Sequence, residues 1–219
     1  MDMEQARFNM VEQQIRPWDV LDQNVLDLLF RVRREEFVPE AWRVLALADM
    51  EIPLGHGESM LSPKLEARIA QEVRINSGER ILEIGTGSGY MTALLAKLVG
   101  TGSVHSVDIV AEFTASARVK LAQRGIDNVT LETADAARGF TGLENYDLVV
   151  ITGSLPVLPE SFTKHLKIGG RLFAVVGECP VMEAKRVTRL TQDTWRTDDL
   201  FETCTPSLKN AQPAEHFVF

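Results

Sequence analysis

Short apolar runs at 80–84, 103–107, 129–132, 147–151 and 171–176 alternate with stretches whose apolar residues recur at helical spacing. The runs predict strands, and the intervening segments predict helices at 90–99, 111–124 (with Gly125 as its stop) and 159–166. Strands this short and apolar, separated by helices, argue for a parallel sheet covered on both faces. The pattern before residue 77 is different. A polar helical stretch at 7–16 is stopped by Pro17, and a second helix starts at Asp22 as N-cap with Val25, Leu26, Leu29 and Phe30 on one face. Residues 37–40 open a short helix through Trp42 and Val44, residues 52–60 read as an irregular loop, and Ser62-Pro63 starts a helix over 64–73. The tail from Lys185 holds β-like pieces at 186–190 and 216–219 and no clear helix. The expected architecture is α/β: a doubly wound, mostly parallel sheet with a helical N-terminal extension. Residues 1–76 form the extension and residues 77–219 the α/β core, in one compact unit.

Composition narrows the function classes. With 219 residues, 45% hydrophobic and 25% charged, the chain can bury a core without metals or disulfides. A net charge of −8 argues against a broad nucleic-acid or anionic-membrane surface. The N-terminus lacks the basic start and apolar stretch of a signal peptide, and no apolar run approaches the ~20 residues of a membrane span. Cys179 and Cys204 form no metal-type cluster and fit reduced thiols in a cytoplasmic protein. His105, His165 and His216 are scattered without ligand spacing, so no metal is inferred.

The chemistry concentrates where the first strand ends, in Glu83-Ile84-Gly85-Thr86-Gly87-Ser88-Gly89-Tyr90. Glycines let a backbone turn sharply while a ligand lies almost against it, and the helix that follows offers free N–H groups. The spacing is G-x-G-x-G. Dinucleotide enzymes carry G-x-G-x-x-G, and here Tyr90 takes the place of the third glycine. A nucleoside cofactor without a pyrophosphate is favoured. Asp108 ends the second strand beside this loop, where a carboxylate can accept from both ribose hydroxyls or cap the next helix. Asp135 follows the third strand and suits either an adenine amino group or a turn.

These residues resemble class I S-adenosylmethionine-dependent methyltransferases. Glu83 to Tyr90 looks like their first motif, Asp108 like the ribose-binding acid, Asp135 like the adenine-side acid, and Leu166-Lys167-Ile168-Gly169-Gly170-Arg171 like the turn before their fifth strand. The resemblance narrows to the protein-L-isoaspartate O-methyltransferase family. Met10-Val11-Glu12-Gln13-Gln14-Ile15, Arg34-Glu35-Glu36-Phe37-Val38-Pro39, Asp49 with Pro53-Leu54-Gly55, and Tyr146 to Thr152 match its motifs in order, over roughly residues 8 to 178. The resemblance implies S-adenosylmethionine as cofactor, held by Glu83, Gly85, Thr86, Gly87, Ser88, Gly89, Asp108 and Asp135. It also implies isoaspartyl peptides or proteins as acceptors: the methyl ester closes to a succinimide that reopens partly as normal aspartate.

The acceptor side departs from the family. Its loop typically reads Tyr-Gly-Gln-Thr-Ile-Ser-x-Pro, whereas this chain has His56-Gly57-Glu58-Ser59-Met60-Leu61-Ser62-Pro63, with Leu61 at the family serine. After the fourth strand, Thr152-Gly153-Ser154-Leu155-Pro156 replaces Thr-Ala-Ala-Ala-Pro, and the family's closing Phe-Val-Pro-Leu is absent from the tail. The candidate acceptor-side residues are Ser59, His56 and Glu58. An ionised carboxylate acceptor needs no general base, so positioning and water exclusion carry the rate. Glu58 would oppose such an acceptor by about 4 kcal/mol at ~4 Å and an effective dielectric near 20, unless it points away or meets a cation. Alternatively, His56 and Glu58 serve an acceptor that must lose a proton. The alternatives are a methyltransferase of the same fold with another acceptor, or a binding protein without catalysis; a nicotinamide oxidoreductase fits the glycine spacing poorly. The divergent tail could cover the acceptor pocket, close the sheet edge or form an interface.

Overall fold

Asp2 caps the first helix by accepting hydrogen bonds from Glu4 N and Gln5 N, so the helix starts at Met3, four residues before the expected start at Arg7. The computed structural model describes residues 2–213. Helix α1 (Met3–Asn9) continues into a π-helical turn (Met10–Ile15) and a 3-10 turn (Arg16–Trp18). Pro17 lies in that last turn without ending the run, because its missing N–H falls in the first turn of a new segment. Helix α2 (Gln23–Arg31) is capped by Asp22, as expected, and buries Val25, Leu26, Leu28 and Leu29, while Phe30 is half-exposed. The expected helix through Trp42 and Val44 is a 3-10 segment, Glu40–Leu45, with Val44 exposed.

Residues 52–60 are not an irregular loop. They form a hairpin, β1 (Ile52–Gly55) against β2 (Glu58–Met60), in register Ile52 with Met60 and Pro53 with Ser59. Gly55, His56 and Gly57 all take positive φ at its tip, so the glycines make the turn possible. Helix α3 (Pro63–Glu72) follows.

The core then alternates: β3 (Arg80–Ile84), α4 (Tyr90–Leu98), β4 (Ser103–Asp108), α5 (Ala111–Gln123), β5 (Val129–Thr133), β6 (Leu148–Leu155), α6 (Glu160–Lys164) and β7 (Arg171–Glu178). The five strands run parallel in the order β5-β4-β3-β6-β7. Beyond β7 the tail adds β8 (Val181–Arg189) and β9 (Trp195–Glu202), both antiparallel to their neighbours. The mostly parallel α/β fold with a helical N-terminal region is therefore as expected, while the second tail strand is new. The tail piece expected at 216–219 lies outside the described residues.

Period-two alternation splits the core in two. Ile81, Val104, Leu148, Val150 and Phe173 point to one face, packed under α3, α4 and α5 and joined by Met10, Leu26 and Leu65. Leu82, Ile84, Val149, Ile151 and Leu172 point to the other, against Leu143, Phe162 and Leu166. Two buried ion pairs fasten the N-terminal region: Arg7 to Glu35, and Arg34 Nε to Glu66 at 2.9 Å. Arg34 also donates to the carbonyls of Ala46 and Leu61.

The cysteines correct an expectation. Cys179, in the exposed β7–β8 turn, and Cys204, just past β9, are joined as a disulfide with Cα atoms 5.8 Å apart. Twenty-five residues separate them in sequence, so the pairing depends on the β7–β8–β9 meander, which the sequence did not declare. The argument from free thiols to a reducing compartment therefore falls. Among the described residues no helix is long and apolar enough to cross a membrane.

Candidate active site

The order β5-β4-β3-β6-β7 reverses direction at β3, and ligands in open parallel sheets bind at the carboxyl ends of the strands beside such a reversal. A cleft of about 880 Å³, including open solvent at its mouth, lies there. Gly85, Thr86, Gly87 and Ser88 form its floor, with Asp108 at the end of β4 and Asp135 past β5.

The glycine loop is shaped by contact as well as by dihedral freedom. Gly85 has φ +103°, and a Cβ there would sit 2.2 Å from Thr152 Oγ1, which donates to the carbonyls of Ile84 and Gly85. Gly89 does a different job from the one expected. It caps α4 at φ +83° and faces away from the cleft onto Ala117 of α5, whose Cβ would meet an added Cβ at 2.9 Å. Thr86 Oγ1 and Ser106 Oγ are 2.6 Å apart beneath the loop, and Ser88 Oγ accepts from Tyr90 N.

Asp108 ties this loop to the next helix. Its Oδ2 accepts from Gly87 N and its Oδ1 from Val110 N, each at 2.8 Å. A carboxylate has about four acceptor positions, so two remain for a ligand in the cleft. The cap reading and the ligand reading of Asp108 are compatible. Asp135 behaves similarly: Oδ1 accepts from Ala137 N and Oδ2 from Asn210 Nδ2.

Glu83 does not reach the cleft. It is fully buried under the loop, accepts from Thr92 Oγ1, and leaves its other oxygen without a partner. Burial raises its pKa from 4.5 to about 8, with the nearby Asp108 charge adding to the rise and the neighbouring Ser106 and Thr92 hydroxyls opposing it. Burial thus favours the neutral form of Glu83, which braces β3 to α4 through Thr92; the correction to its expected ligand role follows from strand periodicity, which aims it into the packed side. Glu66, which does line the cleft, is likewise raised to about 7 by burial, against the lowering effect of Arg34.

The acceptor-side candidates separate. Glu58 and Ser59 line the cleft. Ser59 Oγ donates to Glu51 at 2.8 Å, which commits its proton. The exposed His56 sits at the hairpin tip outside the cleft lining, its ring edge-on to Phe113 with centroids 5.5 Å apart. Its backbone carbonyl, not its ring, faces the site: it accepts from Lys209 Nζ at 2.7 Å. The same ammonium lies 3.3 Å from Glu58 Oε1. Leu61, at the family serine position, is buried and lines the cleft.

Residues 205–209 of the divergent tail, for which covering the acceptor pocket was one of three expectations but which were not among the expected site residues, form one wall. They run beside the end of β6, with Ser154 N donating to Pro206 O, Leu208 N to Ser154 O and Ser154 Oγ to Thr205 O. Leu208 lies where a Cβ on Gly153 would stand, at 2.7 Å. The changes at Gly153, Ser154, Glu58 and the tail thus meet at one strap. Ile109 and Phe113, one helical turn apart after Asp108, also line the cleft, and that spacing was a usable signal.

Comparison with known proteins decides the family. The model of the protein-L-isoaspartate(D-aspartate) O-methyltransferase family matches residues 5–205. The chain belongs to that family. Its curated relatives include protein-L-isoaspartate O-methyltransferase 1 of Rhodopseudomonas palustris strain HaA2, 39% identical over 85% of this chain and 74% of the relative. The protein-L-isoaspartate O-methyltransferase of Syntrophus aciditrophicus is 35% identical over 87% and 86%. Among solved structures, a provisionally assigned protein-L-isoaspartate O-methyltransferase of Plasmodium falciparum, in complex with S-adenosyl-L-homocysteine, superposes with a TM-score of 0.77 at 19% identity, covering 94% of this chain and 97% of that one. At that identity the likeness is one of fold. Membership in the methyltransferase family explains why the motifs run in order through both the N-terminal region and the core.

Proposed function

We propose that this chain binds S-adenosylmethionine in the cleft and methylates the free carboxylate of L-isoaspartyl residues in damaged peptides and proteins. The observation that carries the reading is that one cleft is lined both by the glycine loop with Asp108 and by the Glu58–Lys209 pair. The glycine floor and the two open acceptor positions on Asp108 fit a nucleoside. Asp108 takes the ribose hydroxyls, Asp135 the adenine side, and the backbone from Gly85 to Ser88 lies against the remainder of the cofactor. When bound, S-adenosylmethionine supplies a methyl group on a sulfonium sulfur, whose transfer to a carboxylate moves no proton.

The chain's own residues have accordingly little acid–base work to do. Ser59 is committed to Glu51, and the His56 ring stands outside the cleft, which favours a carboxylate acceptor over one needing a base. The charge on Glu58, which would repel a carboxylate, is matched by Lys209. Leu54, Phe113 and the strap exclude water around the reacting groups.

The reading is tested by incubating a synthetic L-isoaspartyl peptide with the protein and S-adenosylmethionine and following it chromatographically. Conversion of part of the peptide to its aspartyl isomer is expected. An unchanged isoaspartyl peptide, with cofactor binding demonstrated by calorimetry, would leave another acceptor or a binding role.

A further inference from the structure

The cleft is strongly acidic. Glu58, Glu66, Asp108 and Asp135 line it, and among the described residues Lys209 is the one cationic side chain in the lining. Glu66 is answered by Arg34 from behind, and Asp135 and Asp108 accept neutral N–H donors. An anionic acceptor therefore enters a negative site in which a single protein cation is available. We propose that Lys209 is the specificity residue that receives the acceptor carboxylate; the inference rests on the isoaspartyl reading above and names the group that recognises its substrate.

Geometry supports the assignment. Lys209 is delivered by a strap anchored at three points: the Cys179–Cys204 disulfide, the backbone pairing of residues 206–208 with Ser154, and Asn210, whose side chain donates to Asp135 while its carbonyl accepts from Arg138 Nε. The ammonium spends one donor on His56 O at 2.7 Å and one on Glu58 at 3.3 Å, and it carries three. Among the described residues nothing takes the third, which leaves it for a carboxylate. Its side chain keeps 39% of its surface exposed, so the group is reachable, and Glu58 holds it in place without closing it off. The hairpin that presents His56 and Glu58 meets the strap that presents Lys209 at the cleft, although His56 and Lys209 are 153 residues apart in sequence. Glu58 is thus a positioning residue: it orients Lys209, and its charge is harmful only when Lys209 is gone.

The test is steady-state methylation of an L-isoaspartyl peptide by the full chain and by Lys209→Met, Lys209→Gln, Lys209→Arg, Glu58→Gln and the Lys209→Met/Glu58→Gln double variant, with S-adenosylhomocysteine affinity measured on each. Lys209→Met and Lys209→Gln are expected to raise the peptide KM roughly tenfold to a hundredfold, as loss of a charge-assisted hydrogen bond does, with kcat and cofactor affinity nearly unchanged. Lys209→Arg should recover most of the loss. Adding Glu58→Gln to Lys209→Met should lower KM again, because an unopposed carboxylate leaves the acceptor site. A peptide KM unmoved by both Lys209→Met and Lys209→Gln overturns the proposal. So does a parallel loss of cofactor affinity, which would mark Lys209 as merely structural. If the wild-type chain binds S-adenosylhomocysteine but labels no isoaspartyl peptide, the acceptor reading itself fails and this proposal with it. The wild-type arm and the variant arms thus separate the two failures.

Discussion

Replacing Gly85 by alanine separates two costs that the structure places on one atom. The residue sits at φ +103°, which penalises any L side chain by roughly 1–2 kcal/mol or more. The new Cβ would also stand 2.2 Å from Thr152 Oγ1, so Thr152 must move and weaken its hydrogen bonds to Ile84 O and Gly85 O. Overpacking of this kind costs about 1–3 kcal/mol. Together they predict a loss of about 2–5 kcal/mol, or a fall in Tm of roughly 4–20 °C for a chain of this size. Thr152→Ala alone removes the two hydrogen bonds at about 1 kcal/mol. The double variant Gly85→Ala/Thr152→Ala has no clash, so it should be more stable than the sum of the singles by about 1–3 kcal/mol. Urea unfolding of the four proteins gives the cycle, and calorimetric titration with S-adenosylhomocysteine reports whether the loop still binds. Strict additivity would refute the steric argument, and a neutral Gly85→Ala would refute the need for glycine altogether.

Other consequences follow from single groups. Asp108→Asn keeps an oxygen for Gly87 N or Val110 N but removes the charge facing the cleft; S-adenosylhomocysteine affinity should fall roughly tenfold to a hundredfold, and an unchanged Kd would remove Asp108 from the cofactor site. Because burial raises the Glu83 pKa from 4.5 to about 8, the folded state holds a proton that the unfolded chain releases first. Its stabilising contribution is complete below pH 4.5 and is lost as pH rises through about 8, so stability should decline across that window. Glu83→Gln, a neutral mimic, should flatten that decline by its own share, leaving the share of Glu66; identical slopes in urea midpoints from pH 5 to 8 would show that Glu83 is ionised. His56→Asn, which tolerates the left-handed turn, should change kcat/KM by less than about threefold, whereas a large loss with cofactor affinity unchanged would restore His56 as a base. The paired Cys179→Ser/Cys204→Ser variant should lose about 3 kcal/mol, measured by unfolding without reductant, and an equal Tm would deny the bridge.

The parts of this molecule that sequence made legible are those specified locally. Ile81, Leu82 and Ile84 are apolar on both faces because both faces are buried, and the following glycines have little use except a tight strand-to-helix turn. Asp108 was found because it ends a strand beside that turn. Glu83 shares the motif yet not the cleft: its alternation with Ile84 decided its direction, and only the packing of Thr92 over it shows its role. The hairpin at 52–60 was missed because its strands are short and its tip takes three positive φ values, a pattern that reads as loop. The strand from Trp195 to Glu202 was missed because exposed Arg196, Thr197 and Asp199 interrupt the apolar alternation of a sheet edge. Lys209 carried no local signal at all. Its meaning comes from Glu58 and His56, and nothing short of the folded chain brings those residues together.

The central claim is that the acidic cleft passes a methyl group to an isoaspartyl carboxylate. Its most direct test is methyl incorporation from labelled S-adenosylmethionine into two peptides of the same sequence, one with an L-isoaspartyl and one with an L-aspartyl residue. Base-labile label in the isoaspartyl peptide alone, abolished in Asp108→Ala, is the predicted result. Label in neither peptide, or equally in both, from protein that binds the cofactor would contradict it.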